Sequence, residues 1–159
     1  MPPMHHRTPG ATLACLEAHN VYLGLIFDLV HVAVPMLRLV WRPVGPRRIV
    51  AITDVIAAAG LPDGTYALVG LSVKVSSGVD HLENRALAGS TLLLEQGVRN
   101  LGIPLKEALA MASHVPAQSL GETSLGRLVL RAPADLVVLD HQLNFKRTYI
   151  AVELCFMAD

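Results

Sequence analysis

At 159 residues with 13 basic and 13 acidic side chains, the chain is long enough for one folded domain and has no net charge to draw it to nucleic acid or an acidic membrane. Its 52% apolar and 16% charged content calls for either a membrane or an unusually large core. Cys15 and Cys155 form no metal-ligand or redox spacing, which fits reduced thiols in a cytoplasmic protein and leaves one disulfide open.

Residues 9–20, PGATLACLEAHN, start on Pro-Gly and read as a short helix. The next run, residues 21–41, has the length of a membrane span but contains Asp28, His31, Arg38 and Pro35. Asp or Arg near a bilayer centre costs roughly 2.5–3.5 kcal/mol each, so a soluble pairing fits better. It consists of a strand buried on both faces, VYLGLIF, ending at Asp28, and a helix from Pro35 that Pro43 and Gly45 stop. The polar amino terminus carries no secretory signal. RRIVAITD is a second buried strand, so residues 21–54 form one βαβ unit with parallel strands. Residues 61–83 alternate between turn signals at Pro62–Gly64 and Ser76–Gly78, the pattern of a β-hairpin excursion. Helices are expected over 90–102 and 104–121, and strands at ADLVVLD (134–140) and RTYIAVELCF (147–156).

Two strand ends carry polar side chains: Asp28 with His31 on one, Asp54 on the other. Neighbouring carboxyl ends of parallel strands share a rim where active sites collect, so a carboxylate base and an orienting histidine can meet there. The same residues are also what capping aspartates and a packed histidine look like. His5 and His6 lack a third ligand at metal spacing and read as surface residues, and a lone Arg7 beside Thr-Pro-Gly reads as solvated. No Walker loop, GxGxxG, GxSxG, HExxH or CxxC is present.

Six stretches in order resemble the N-acetylglucosamine-6-phosphate deacetylases of the amidohydrolase superfamily. They are PPMHHRTPG (2–10), FDLVHV (27–32), RIVAITDVIAAAGLPDG (48–64), LAGSTL (87–92), VRNLGIPLKEALAMAS (98–113) and ADLVVLD (134–140). The resemblance implies an α/β fold: the C-terminal part of a (β/α)8, TIM-like barrel over 1–132, with strands of a small β-sandwich over 133–159. It implies hydrolysis of the acetamide of N-acetylglucosamine 6-phosphate to glucosamine 6-phosphate and acetate, with Asp54 as catalytic acid/base. It further implies that Arg7 contacts the sugar phosphate, that Asp28, Leu29, Val30 and His31 line the sugar pocket, and that Leu87, Ala88 and Gly89 close over the substrate. The implied partner is a small amino-sugar phosphate, and the family tends to homodimerise.

The family's divalent metal, zinc or similar, is held by a glutamate and two histidines that the mapping places upstream of Met1. The chain then keeps the last two barrel strands, and none of its own residues is a metal ligand. Asp28–Leu29 stands where the family commonly has Asp-Gly, RTPG replaces REPG at 7–10, Val115 replaces an Asn, and RLVLRAP replaces a Gly-rich turn. The alternative to a deacetylase acting in a full-length context is therefore a truncated, catalytically inactive remnant or an interaction fragment without the metal site. Unpaired strands and an uncovered apolar face would make such a chain self-associate.

Overall fold

The computed structural model describes residues 4–158, so Pro2 and Pro3 of the first matching stretch lie outside the described residues. Helix α1 (Gly10–Glu17) is shorter than expected and buries none of its side chains. Strand β1 (Leu23–Ile26) leads through a loop to α2 (Val34–Val44), then to β2 (Ile49–Ile52). Pro35 sits in the first turn of α2, where its missing N–H costs no hydrogen bond; Pro43 lies in the last turn, and Gly45 turns the chain at φ +72°. Arg38 and Arg42 face solvent, while Leu37 and Val40, one turn apart, face inward. The two strands pair in parallel, Leu23 with Ile49 through Ile26 with Ile52, as the βαβ reading requires.

The chain then forms an antiparallel sheet of three strands rather than one hairpin: β3 (Gly64–Leu68), β4 (Leu71–Ser76) and β5 (Val79–Leu82). The second expected turn joins β4 to β5 through Ser77 and Gly78, both at positive φ. The β3–β4 turn uses Val69 and Gly70, at φ +48° and +80°. A β-branched residue is a poor signal for that left-handed conformation, which is why the extra strand was hidden.

Helix α3 (Leu94–Asn100) starts later than expected because Ser90 is used elsewhere, as described below. The expected helix over 104–121 is two helices, α4 (Leu105–Ala112) and α5 (His114–Ser119), broken at Ser113. In one continuous helix the ring of Pro116 would strike the Ala112 carbonyl four residues back. The chain ends in β6 (Leu136–Leu139), β7 (Phe145–Ile150) and β8 (Glu153–Met157), a second antiparallel sheet of three strands. The single strand expected over 147–156 is thus a hairpin. Its turn, Ala151–Val152, sits at φ +49° and +76° without a glycine, asparagine or aspartate to announce it. Asp135 Oδ1 secures it by accepting the Ala151 N–H at 2.9 Å.

The fold class expected from the resemblance is corrected here. Among the described residues the sheets are separate, one parallel with two strands and two antiparallel with three, and none closes. The chain is an α/β fold without a barrel: each of β1 and β2 has only the other as partner, and two parallel strands cannot curl round on themselves.

Two apolar clusters hold these parts. The first joins Phe27, α2 (Leu37, Val40), β2 (Ile49, Ala51) and Met111 of α4, with Ile49 and Met111 fully buried. The second joins Ile56 and Ala58 to Val73 and Val75 of β4. The β6–β8 sheet is different, since β8 is exposed along its whole length and presents Leu154, Phe156 and Met157 to solvent. No helix among the described residues is long and apolar enough to cross a membrane.

Two outcomes follow. Val152 is exposed, so Val152→Gly loses little packing and relieves a left-handed backbone, raising the unfolding free energy by about 1 kcal/mol in a urea titration; no gain would contradict the turn geometry. The exposed apolar sheet and the open outer edges of the parallel pair should make the chain self-associate, so its sedimentation coefficient should rise with concentration rather than stay at a monomer value.

Candidate functional site

The parallel register carries the site. Ile26 and Ile52 are partners, and Asp28 and Asp54 each follow two residues beyond them, so both carboxylates stand at the same edge of the sheet. Phe27 is 2% exposed and anchors the first strand end in the core. Its carbonyl accepts a 2.8 Å hydrogen bond from Asn100 Nδ2 of α3.

Asp28 organises the loop that follows. Its Oδ1 accepts the N–H groups of Val30 and His31 at 3.0 and 2.9 Å, and its Oδ2 lies 2.6 Å from His31 Nδ1. Burial pushes the Asp28 carboxyl up, but the hydrogen bonds from the His31 side chain and the two backbone N–H groups outweigh it. The net result lies below the usual carboxylate value. Ionised Asp28 can only accept, so the hydrogen bond is donated by His31 Nδ1–H, which leaves Nε2 as the free ring nitrogen. Leu29 completes this turn at φ +67°, the conformation glycine takes without strain, so the Leu-for-Gly departure falls on the one residue of the loop where glycine is favoured.

Asp54 is exposed and also left-handed, at φ +53°, a conformation aspartate tolerates better than most residues. Its backbone is tied to the segment after β5: its carbonyl accepts the Ser90 N–H at 2.8 Å, and Ile56 donates to the Ser90 carbonyl at 2.9 Å. Gly89 makes that approach possible, because a Cβ there would lie 2.7 Å from Ile56 Cγ2 and 3.0 Å from the Asp54 carbonyl oxygen. Ala88 packs against the second apolar cluster, and Leu87 bridges to His81 of β5.

The structure therefore joins Asp28, Leu29, Val30 and His31 in one hydrogen-bonded loop, and it brings Gly89 and Ser90 against the backbone of Asp54, whereas Leu87 and Ala88 make their contacts to His81 and to the second apolar cluster. No side-chain hydrogen bond links Asp54 to Asp28 or His31 among the described residues. Arg7 stands apart on an exposed turn closed by Thr8 N–H to the His5 carbonyl at 3.0 Å. That turn also brings the rings of His5 and His6 together at 4.4 Å, although adjacent residues on an extended chain would point apart. Cys15 and Cys155 are free and exposed.

A cavity of about 270 Å³ adjoins the Asp28 loop, lined by Asp28 and Val30 together with Asp80, Ser90, Gln96 and Asn100. The last four were missed in the sequence. Asp80 had a signal: it pairs with buried Val75 and lies two residues from inward-facing Leu82, a charge in phase with the apolar face of an alternating strand. A larger cavity of about 500 Å³ lies on the β3–β5 sheet and involves none of the expected site residues.

The residues present do not fit the divalent metal that the resemblance implies. Among the described residues, no group of three or more His, Cys, Asp or Glu side chains is placed to hold one.

Because the folded-state pKa of Asp28 is depressed, its contribution to stability is complete above the unfolded carboxylate value near ~4 and is lost as pH falls through the lower folded value. Urea unfolding of wild type and Asp28→Asn should therefore differ by a constant amount at neutral pH and converge below about pH 4. A difference independent of pH would contradict the clamp.

The sequence matches the amidohydrolase family over residues 10–155. It is 36% identical to the N-acetylglucosamine-6-phosphate deacetylase of Lysinibacillus sphaericus, across 93% of this chain but 39% of that protein. A shorter Escherichia coli K12 relative, 39% identical, is matched over 95% of its length. The crystal structure of N-acetylglucosamine-6-phosphate deacetylase from Thermotoga maritima superposes with a TM-score of 0.93 at 41% identity, covering 99% of this chain and 44% of that one. The chain thus spans about two-fifths of the longer relatives it matches. Matched from α1 into β8, and resembling the deacetylases in the stretches that build its two strand ends, this chain belongs to the amidohydrolase family.

Proposed function

We propose that this chain carries the acid/base and sugar-lining part of a deacetylase acting on N-acetylated amino-sugar 6-phosphates, and that by itself it is catalytically silent. The observation that carries this reading is a contrast. Asp54 and the Asp28–His31 loop end two paired parallel strands, yet no metal-holding group accompanies them among the described residues. In the complete setting Asp54 takes a proton from the attacking water and returns it to the departing amine, which needs an exposed carboxylate on a fixed backbone. Gly89 and Ser90 supply that fixing. His31, its Nδ1 occupied by Asp28, offers Nε2 to a sugar hydroxyl, with Leu29 and Val30 beside it. Leu87 and Ala88 lie on the same closing segment, and Arg7 meets the phosphate. No hydrolytic step is assigned to the chain alone, because a metal-activated water needs ligands beyond these.

The sugar is open to the same test. The L. sphaericus relative is a deacetylase of N-acetylglucosamine 6-phosphate, whereas an E. coli O157:H7 relative, 39% identical over 97% of this chain and 42% of its own length, is named for N-acetylgalactosamine 6-phosphate. The full chain, given either sugar phosphate with zinc or manganese, should release acetate no faster than a metal-only blank. Release above the blank that disappears with Asp54→Asn would overturn the silence of the chain.

A further inference from the structure

Asp80 is the most unusual side chain outside the strand ends. It is 2% exposed, and its Oδ2 is sealed from solvent without a hydrogen-bond partner. No lysine or arginine pairs with it, the ion pairs among the described residues being His31–Asp28 and Lys146–Asp140. An unpaired buried carboxylate costs several kcal/mol unless it is neutral or something supplies the missing positive charge or donor, so its retention points to a partner at that place.

The cavity that Asp80 lines shows what would answer it. No lysine, arginine or histidine lines this space; the polar groups are oxygen-bearing. Asn100 Nδ2 is committed to the Phe27 carbonyl, which leaves its Oδ1 as an acceptor. Ser90 Oγ accepts the Leu92 N–H, Thr91 Oγ1 donates to the Gly78 carbonyl, and Asp28 is held by His31 and its neighbours. Gln96, exposed at the same cavity, adds an amide oxygen. Carboxylate, amide and hydroxyl oxygens without an imidazole, amine or thiol among the lining side chains are the ligand set of a hard cation.

We propose that this cavity binds one oxygen-coordinated hard cation, with the Asp80 carboxylate as its charged ligand and the amide oxygens of Asn100 and Gln96 as neutral ones. Calcium suits it best, since it accepts six to eight oxygens in irregular geometry and tolerates bound waters in a roomy site. The site involves neither Asp54 nor the metal of the hydrolytic reaction, and it stands whether or not the chain ever deacetylates a sugar.

Calorimetric titration of the full chain with calcium, magnesium and potassium chlorides at constant ionic strength tests it, with thermal unfolding read in parallel. Wild type should bind one equivalent of at least one of these ions and melt higher with it, the three arms identifying the ion. Asp80→Asn, which keeps the side-chain shape, should lose binding at least tenfold and the melting shift with it. Gln96→Leu, a substitution at an exposed position that leaves the core intact, should weaken binding about threefold or more. No heat with any ion, or an Asp80→Asn chain that binds as wild type does, would overturn the proposal. Should Asp80→Asn fail to fold, unchanged affinity in Gln96→Leu would overturn it instead.

Discussion

The backbone exchange around Ser90 is the constraint on which the rest of the site depends. One residue, donating to Asp54 and accepting from Ile56, fastens the carboxyl end of β2 to the segment that follows the β3–β5 sheet. Gly89 is the only residue type that lets the two backbones come so close, at φ +142° and with no room for a Cβ. Without that contact the Asp54 backbone loses its tie to the segment after β5, and with it a connection between the β3–β5 sheet and the parallel pair. The same exchange delays α3 to Leu94 and so sets where Gln96 and Asn100 meet the cavity.

The parallel register does the complementary work on β1. Because Ile26 and Ile52 are partners, Asp28 and Asp54 reach the sheet edge together, one clamping its own loop and the other held through its backbone. The two carboxylates have different surroundings as a result. Asp28 is spent on structure, its oxygens taken by two N–H groups and an imidazole. Asp54 is left exposed with its side chain uncommitted, the condition a proton carrier needs.

Much of this was legible in the sequence, and the failures have physical reasons. The βαβ unit was readable because Ile49–Ile52 is a short apolar run and Pro35, Pro43 and Gly45 mark the helix ends. The family was readable because the matching stretches include residues with narrow backbone demands: a left-handed Asp54, a Gly89 with no room for a Cβ. The third strand of the expected hairpin excursion and the C-terminal hairpin escaped because Val69 and Ala151–Val152 adopt left-handed conformations that their residue types do not advertise. The break at Ser113 was overlooked because apolar spacing continues through it while Pro116 forbids the helix. The barrel expectation failed for a different reason: it came from the resemblance, and two paired strands close nothing. Asp80 carries no motif that marks it in the sequence, although its phase on β5 places it on the buried face.

We propose that this chain holds an acid/base and sugar-lining segment that acts only together with the rest of a deacetylase. The most direct measurement replaces the matched 44% of the Thermotoga maritima enzyme with this chain and follows acetate release from N-acetylglucosamine 6-phosphate. The account predicts a chimera that turns over and an Asp54→Asn version slowed by about 10²–10⁴-fold at similar KM. A folded, metal-loaded chimera without activity, or one indifferent to Asp54→Asn, would contradict it.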